Sequence, residues 1–228
     1  YRKHQIKFIE HEKNKGTATS RNSGLSATTG EYVIHCDSDD WIEPEMYEDM
    51  YKNAIKGKKD IVWCDYFSGP PDKMNYYQQN ASELKSDCIK VMLTGVGLQL
   101  HLWDKLIKRS LYTDNNIRFP DGLNIREDWV VIIQLFYFAD TFLHINKAYY
   151  HYIIRNTSIS NNRKDWDKYN HNIKDRIKAL ELITAFFESK NVLIEYAPAL
   201  NTAKINLKHW ILIKSKNKKQ WINIFPEV

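Results

Sequence analysis

The segment Gly30-Glu-Tyr-Val-Ile-His-Cys-Asp-Ser-Asp-Asp-Trp-Ile-Glu-Pro44 opens on a turn residue, runs through an apolar stretch and ends in acids. Tyr32 to Cys36 reads as a buried strand. Asp37, Asp39 and Asp40 follow at its end. Carboxylates this close repel one another, so gathering them is costly unless a cation neutralises them. In open α/β sheets, strand ends of this kind bind ligands. Hard oxygen ligands favour Mg²⁺ or Mn²⁺. The competing reading is a solvated acidic turn that also starts the next helix, with Pro44 in that helix's first turn.

Outward from that segment the pattern alternates. Residues 5–9 alternate polar and apolar and read as a strand. Asn14-Lys-Gly16 is a turn, and residues 17–29 read as a helix of small residues stopped by Gly30. Met46, Met50 and Ala54 share one face of a helix ended by Gly57. Residues 60–65 are a second buried strand. Strand, helix, strand in this order predicts parallel pairing with helices on both faces. A polar loop is expected over 68–82, a helix over 85–94 and an apolar helix from Glu127 to about Ala139. Short strands are expected over 142–145 and 149–153, and helices over the remainder.

The bulk composition limits the function classes. The chain has 228 residues, 43% hydrophobic and 27% charged, which suits a soluble globular domain with a small extension. A net charge of +5 fits an anionic ligand such as a nucleotide diphosphate, or an anionic membrane surface. Basic residues are interleaved with acids, so no nucleic-acid partner is implied. Cys36, Cys64 and Cys88 form no CxxC pair, which argues against zinc. Cys36 and Cys64 read as buried hydrophobes in a reduced compartment. No signal peptide and no apolar run of roughly 18 residues is visible. A cytoplasmic location is therefore expected. The first residue is Tyr rather than Met, so the natural N-terminus is expected to lie upstream.

Five motifs then stand in order. They are Asn14-Lys-Gly with Ser20-Arg-Asn-Ser-Gly-Leu25, the segment from Gly30 to Pro44, Trp103-Asp-Lys-Leu-Ile-Lys-Arg109, Arg126-Glu-Asp128, and Tyr150-His-Tyr with Arg155-Asn-Thr-Ser-Ile-Ser160. Over about residues 5–160 the chain resembles bacterial family 2 glycosyltransferases of the GT-A fold. The resemblance implies an α/β nucleotide-diphospho-sugar transferase with a mostly parallel central sheet flanked by helices and a helical C-terminal extension. It implies a catalytic domain over 1–160 that lacks its first strand-helix-strand, and a helical extension over 161–228. The absent pieces would hold the base and ribose.

The resemblance also assigns roles. Asp37 and Asp39 match a DxD metal motif, with Asp39 the direct ligand of Mn²⁺ or Mg²⁺ and Asp40 near the sugar or a ligand water. Asp128 matches the base of inverting members, with Glu127 next in line. Arg21 and Asn22 match a donor-binding position. Lys105 is assigned to the donor, Trp103 to the acceptor or the core, and Arg155, Ser158 and Ser160 to a loop over the diphosphate. Asp104 departs from the Asn or Gly usual there.

The implied function is inverting transfer from a nucleotide-sugar donor, a UDP-sugar by family custom, to a glycan or lipid-linked acceptor in bacterial surface polysaccharide synthesis. The alternative is an inactive glycan-binding or scaffold domain derived from such an enzyme, which the intact acids argue against. A phosphotransferase would share the acidic cluster but not the later motifs. A glycosidase would need two carboxylates across a sugar cleft and no nucleotide pocket. Trp210, Ile211, Leu212, Ile213 and Trp221 beside Lys208, Lys214, Lys216, Lys218 and Lys219 raise peripheral membrane contact through a basic amphipathic helix. A helix docked on the catalytic domain is the other reading. Oligomeric state is not legible.

Overall fold

The structure, a computed structural model, describes residues 6–80, 82, 84–95, 97–123, 125–154, 166–215 and 218–228, excluding the side chains of 166–171, 214, 215, 218 and 220. In chain order the elements are α1 (Gly16–Ala27), β1 (Tyr32–Val33), β2 (Trp41–Ile42), α2 (Met46–Gly57), β3 (Ile61–Gly69), β4 (Asn75–Tyr77), α3 (Lys85–Thr94), β5 (Lys105–Lys108), α4 (Arg109–Asp114), α5 (Glu127–Phe138), β6 (Phe142–Ile153), α6 (Trp166–Ser189), α7 (Leu193–Ser215) and α8 (Lys218–Asn223).

The strands order as β1-β5-β3-β6-β2, with β4 also on β3. The expected α/β class with flanking helices is present. The expected mostly parallel sheet is corrected to a mixed one, because among the described residues only β3 and β6 pair in parallel. The reason is local. β1, β3 and β6 run the same way, as strand-helix-strand order dictates. β5 returns antiparallel between β1 and β3, pairing Ile107 with both Val33 and Ile61. β4 folds back on β3 through the tight Pro70–Lys73 turn, which permits only antiparallel pairing.

β3 is the centre of the molecule. Ile61 and Trp63 join the core shared with α3, α5, α6 and α7, while Val62, Cys64 and Tyr66 join a second core with Met46, Met50 and Ala54 of α2. The alternation is the two-residue period of a strand covered on both faces. α5 is apolar nearly all round, with Val130, Val131, Ile132, Ile133, Leu135 and Phe136 buried, as expected of a helix packed on several sides. α3 stops at Gly95, whose φ of 75° is left-handed and whose N–H closes on the Val91 carbonyl. The C-terminal helices share the α3 and α5 core and so dock on the sheet's helical face.

Other expectations are also corrected. Residues 6–9 are not a strand; Ile6 and Phe8 are exposed, and among the described residues no strand pairs them. The two strands foreseen in 142–153 are one, because a bulge at Asn146 and Lys147 interrupts the alternation without ending the ladder. The foreseen loop 68–82 contains β4. Trp41 and Ile42 form a strand, pairing with His151 and Tyr150, and α2 starts at Met46, so Pro44 precedes the helix rather than lying in its first turn. Cys36 is exposed rather than buried, whereas Cys64 is buried as foreseen.

Candidate active site

The acidic segment is a turn between β1 and β2, closed by the Asp40 N–H on the Asp37 carbonyl at 3.3 Å. One side chain of β6 fastens it. The Tyr150 hydroxyl accepts from the Asp37 N–H at 3.1 Å and donates to Asp40 at 2.8 Å. The Ile153 N–H donates to the other Asp40 oxygen at 2.8 Å. Burial raises the Asp40 pKa, and these two bonds oppose the rise. Asp40 thus anchors the turn to β6. Asp39 lies exposed on the turn, and the Asp37 side chain is partly exposed.

Arg21 of α1 links this turn to the start of α5. Its guanidinium donates to Glu127 at 2.7 Å and to Asp37 at 3.2 Å. Burial disfavours its charge, but Glu127, Asp128 and Asp37 outweigh that and raise its pKa. Glu127 is 5% exposed. Its burial and the neighbouring Asp128 push its carboxyl up to about 7, against the pull of Arg21. Asp128 is also raised, first by burial, with Arg126 and Arg21 opposing. One Asp128 oxygen accepts the Trp129 N–H at 3.0 Å, which holds it at the helix start. A carboxylate base works best when its pKa approaches the working pH, and both acids are moved in that direction.

The remaining assigned residues fall into three groups. Asn22 is committed to the backbone, donating to the Phe119 carbonyl at 2.8 Å and accepting its N–H at 2.9 Å. It positions the loop beneath Arg21, which lies over the Phe119 ring at 5.6 Å. Lys105 is fully buried and bonded to Asp104 at 2.7 Å, and Gln79 donates to Asp104 as well. That pairing accounts for an Asp at 104, since a buried ammonium needs a counter-charge. Trp103 is buried in a stack between His101 at 4.3 Å and Tyr150 at 4.2 Å. Arg155, Ser158 and Ser160 lie outside the described residues.

Sequence reading missed the part played by Tyr150 and the buried Gln79. The alternation of Tyr150-His-Tyr was the one available signal for the first. Nothing in the polar stretch 68–82 marked the second. Among the described residues no group of three or more His, Cys, Asp or Glu side chains is arranged to enclose a metal ion.

A mixed α/β sheet that sets an acidic turn against two raised carboxylates defines a class, and the comparisons agree on which. The chain belongs to glycosyl transferase family 2, whose family profile matches residues 1–130. It is similar to the putative glycosyltransferase EpsH of Bacillus subtilis, 30% identical over 85% of this chain and 56% of that protein. It is also similar to the cholesterol galactosyltransferase of Borreliella burgdorferi, 35% identical over 62% of this chain and 43% of that one. The fold is that of S. aureus TarS 1-349, solved in complex with UDP-GlcNAc, with a TM-score of 0.68 at 20% identity over 97% of this chain and 63% of the other. The chain spans about half the length of these curated relatives.

Proposed function

We propose that this chain is the catalytic part of an inverting glycosyltransferase that moves a sugar from a nucleotide-sugar donor to a hydroxyl of a glycan or lipid-linked acceptor in bacterial surface polysaccharide synthesis. The observation that carries the proposal is the Arg21 bridge. One guanidinium joins Asp37, at the donor end, to Glu127, beside Asp128 at the base end. The TarS complex with UDP-GlcNAc supports a nucleotide-sugar donor, and a UDP-sugar is the donor proposed here.

Asp128 acts as the base, taking the proton from the acceptor hydroxyl. The acceptor oxygen bonds to the anomeric carbon as that carbon's bond to the diphosphate oxygen breaks, and the electron pair leaves with the diphosphate. Attack opposite the leaving group inverts the configuration. Glu127, raised by burial and Asp128 and pulled back by Arg21, sets negative charge beside Asp128 when ionised and so favours its proton uptake. Arg21 is near enough to the turn to meet departing phosphate oxygens.

The acids fit a divalent ion of the Mg²⁺ or Mn²⁺ type. Such ions take one or two carboxylates and complete their shell with substrate phosphates and water. Asp39 and Asp37 would be those ligands, which needs no enclosed cluster. When bound, the ion would neutralise charge on the leaving diphosphate.

The proposed setting is cytoplasmic. Among the described residues no helix is long and apolar enough to cross a membrane. For α7 the docked-helix reading is favoured over peripheral membrane contact. Ile211 is fully buried, Trp210 lies under Arg176, and Lys208 donates to the Phe225 and Val228 carbonyls.

The test is to incubate the full-length protein with a panel of nucleotide sugars and measure released nucleotide. Release with one donor, stimulated by acceptor, is expected. No release from any donor, with glycan binding retained, would favour the inactive binding domain.

A further inference from the structure

Behind the α5 start lies a cavity of about 270 Å³ between the end of α3, residues 99–101, Arg126, Trp129, α6 and α7. It is near the lower end of the size range of small-molecule sites. Its lining contains two arginines and a histidine and no carboxylate. Arg126 stacks on Trp129 at 4.2 Å, and Arg176 of α6 stacks on Trp210 of α7 at 4.9 Å. Two guanidinium–indole pairs from different elements thus line one hollow, with Thr94, Gln99 and Asn206 as neutral polar groups.

Among the described residues, two buried nitrogens here have no hydrogen-bond partner, Arg126 Nε and His101 Nδ1. Leaving such groups unmatched is costly, and native structures rarely do so without a purpose. The Arg126 backbone is also left-handed, at φ 71°. For a residue with a Cβ that conformation is strained and must be maintained by its surroundings. It lets consecutive side chains diverge: Arg126 lies on Trp129 and lines the cavity, while Glu127 meets Arg21 on the donor side.

We infer that this cavity is a subsite for an acidic sugar, its phosphate or carboxylate bound by Arg126 and His101 and its ring body lying against Trp129 and Trp210. Resting on the transferase reading, the subsite belongs to the acceptor, since Arg126 immediately precedes Glu127 and Asp128. A guanidinium fork suits either acid group, and indole faces suit a sugar ring. Burial, together with the charges of Lys105 and Arg126, lowers the His101 pKa well below its usual value. The neutral imidazole can then donate without adding another buried cation.

The test is binding of glucose 1-phosphate, glucuronate and glucose to the full-length protein, followed by tryptophan fluorescence with saturating UDP present. UDP keeps the probes off the donor side. At least one acidic probe should bind and glucose should bind at least 10-fold more weakly; the two acidic probes distinguish phosphate from carboxylate. Arg126→Gln and, independently, Arg176→Gln on another helix should each weaken the acidic probe at least 10-fold while UDP binding and fold, by circular dichroism, are kept. Equal binding of glucose, displacement of the probes by UDP, or no effect of either substitution would overturn the subsite. Donor hydrolysis without acceptor reads the transferase reading separately. Hydrolysis with no probe binding sinks the subsite alone. Probe binding with no donor turned over on any substrate sinks the acceptor assignment together with the transferase reading.

Discussion

Replacing Arg21 with Gln removes the cation between two acidic ends and leaves the shape nearly unchanged. The Asp37 side chain is 37% exposed, so water compensates for losing that contact and its removal costs little. The Glu127 side chain is 6% exposed and loses a 2.7 Å charged bond. Breaking a buried pair from one side costs about 3–5 kcal/mol, and the partly exposed Arg21 places this case near about 3. For a domain of this size that lowers Tm by about 6–12 °C. The loss depends on pH. Glu127 is already pushed up to about 7 with Arg21 present, and without it the carboxyl rises further. Below that range the variant's Glu127 is protonated and needs no counter-charge. The deficit should grow as pH rises through about 7, because the variant's carboxyl stays protonated to higher pH, and be clearly larger at pH 8 than at pH 5.5. Thermal unfolding by circular dichroism at both values measures it. An equal loss at the two pH values, or no loss at pH 8, would refute the bridge as described.

Glu127→Gln should flatten the pH dependence of stability. The folded pKa is above the unfolded one, so wild type loses stability as pH rises from 4.5 through about 7, and unfolding curves across that window should show a shallower slope in the variant, the rest coming from the also raised Asp128. Asn22→Ala strands the Phe119 N–H and carbonyl and should cost about 2 kcal/mol, visible as a lower midpoint in urea, whereas an unchanged midpoint would remove its positioning role. Chelator should abolish nucleotide release and Asp39→Asn should weaken donor binding in Mn²⁺ buffer; full activity in excess EDTA would take the metal role from this turn.

Much of the fold was legible because burial imposes period. The Met46, Met50 and Ala54 spacing gave α2 its buried face, and the apolar run from Val130 marked α5. Strand pairing was not legible. Nothing local to Lys105–Lys108 says that it will enter between β1 and β3, since pairing partners are set by tertiary packing. The acidic turn and the Glu127–Asp128 helix start were visible as charge clusters. Their linkage through Arg21 was not, because it joins residues 106 positions apart. The commitment of Asn22 to Phe119, 97 positions away, was hidden for the same reason, whereas Lys105 meets its neighbour Asp104 and only its burial was hidden. A residue type announces what it can bond to, and only the fold shows what it meets.

The central claim is that Asp128 removes the acceptor's proton while Asp37 and Asp39 serve the donor. Turnover of Asp128→Asn in the full-length protein, beside a titration of donor binding, tests it most directly. The substitution keeps the side-chain shape and deletes the base. Turnover should fall by about 10²-fold or more, the scale of a lost general base, while donor affinity and Tm barely change. Near-normal turnover would contradict the assignment and pass the role to Glu127, and loss of donor binding together with turnover would move Asp128 to the donor side.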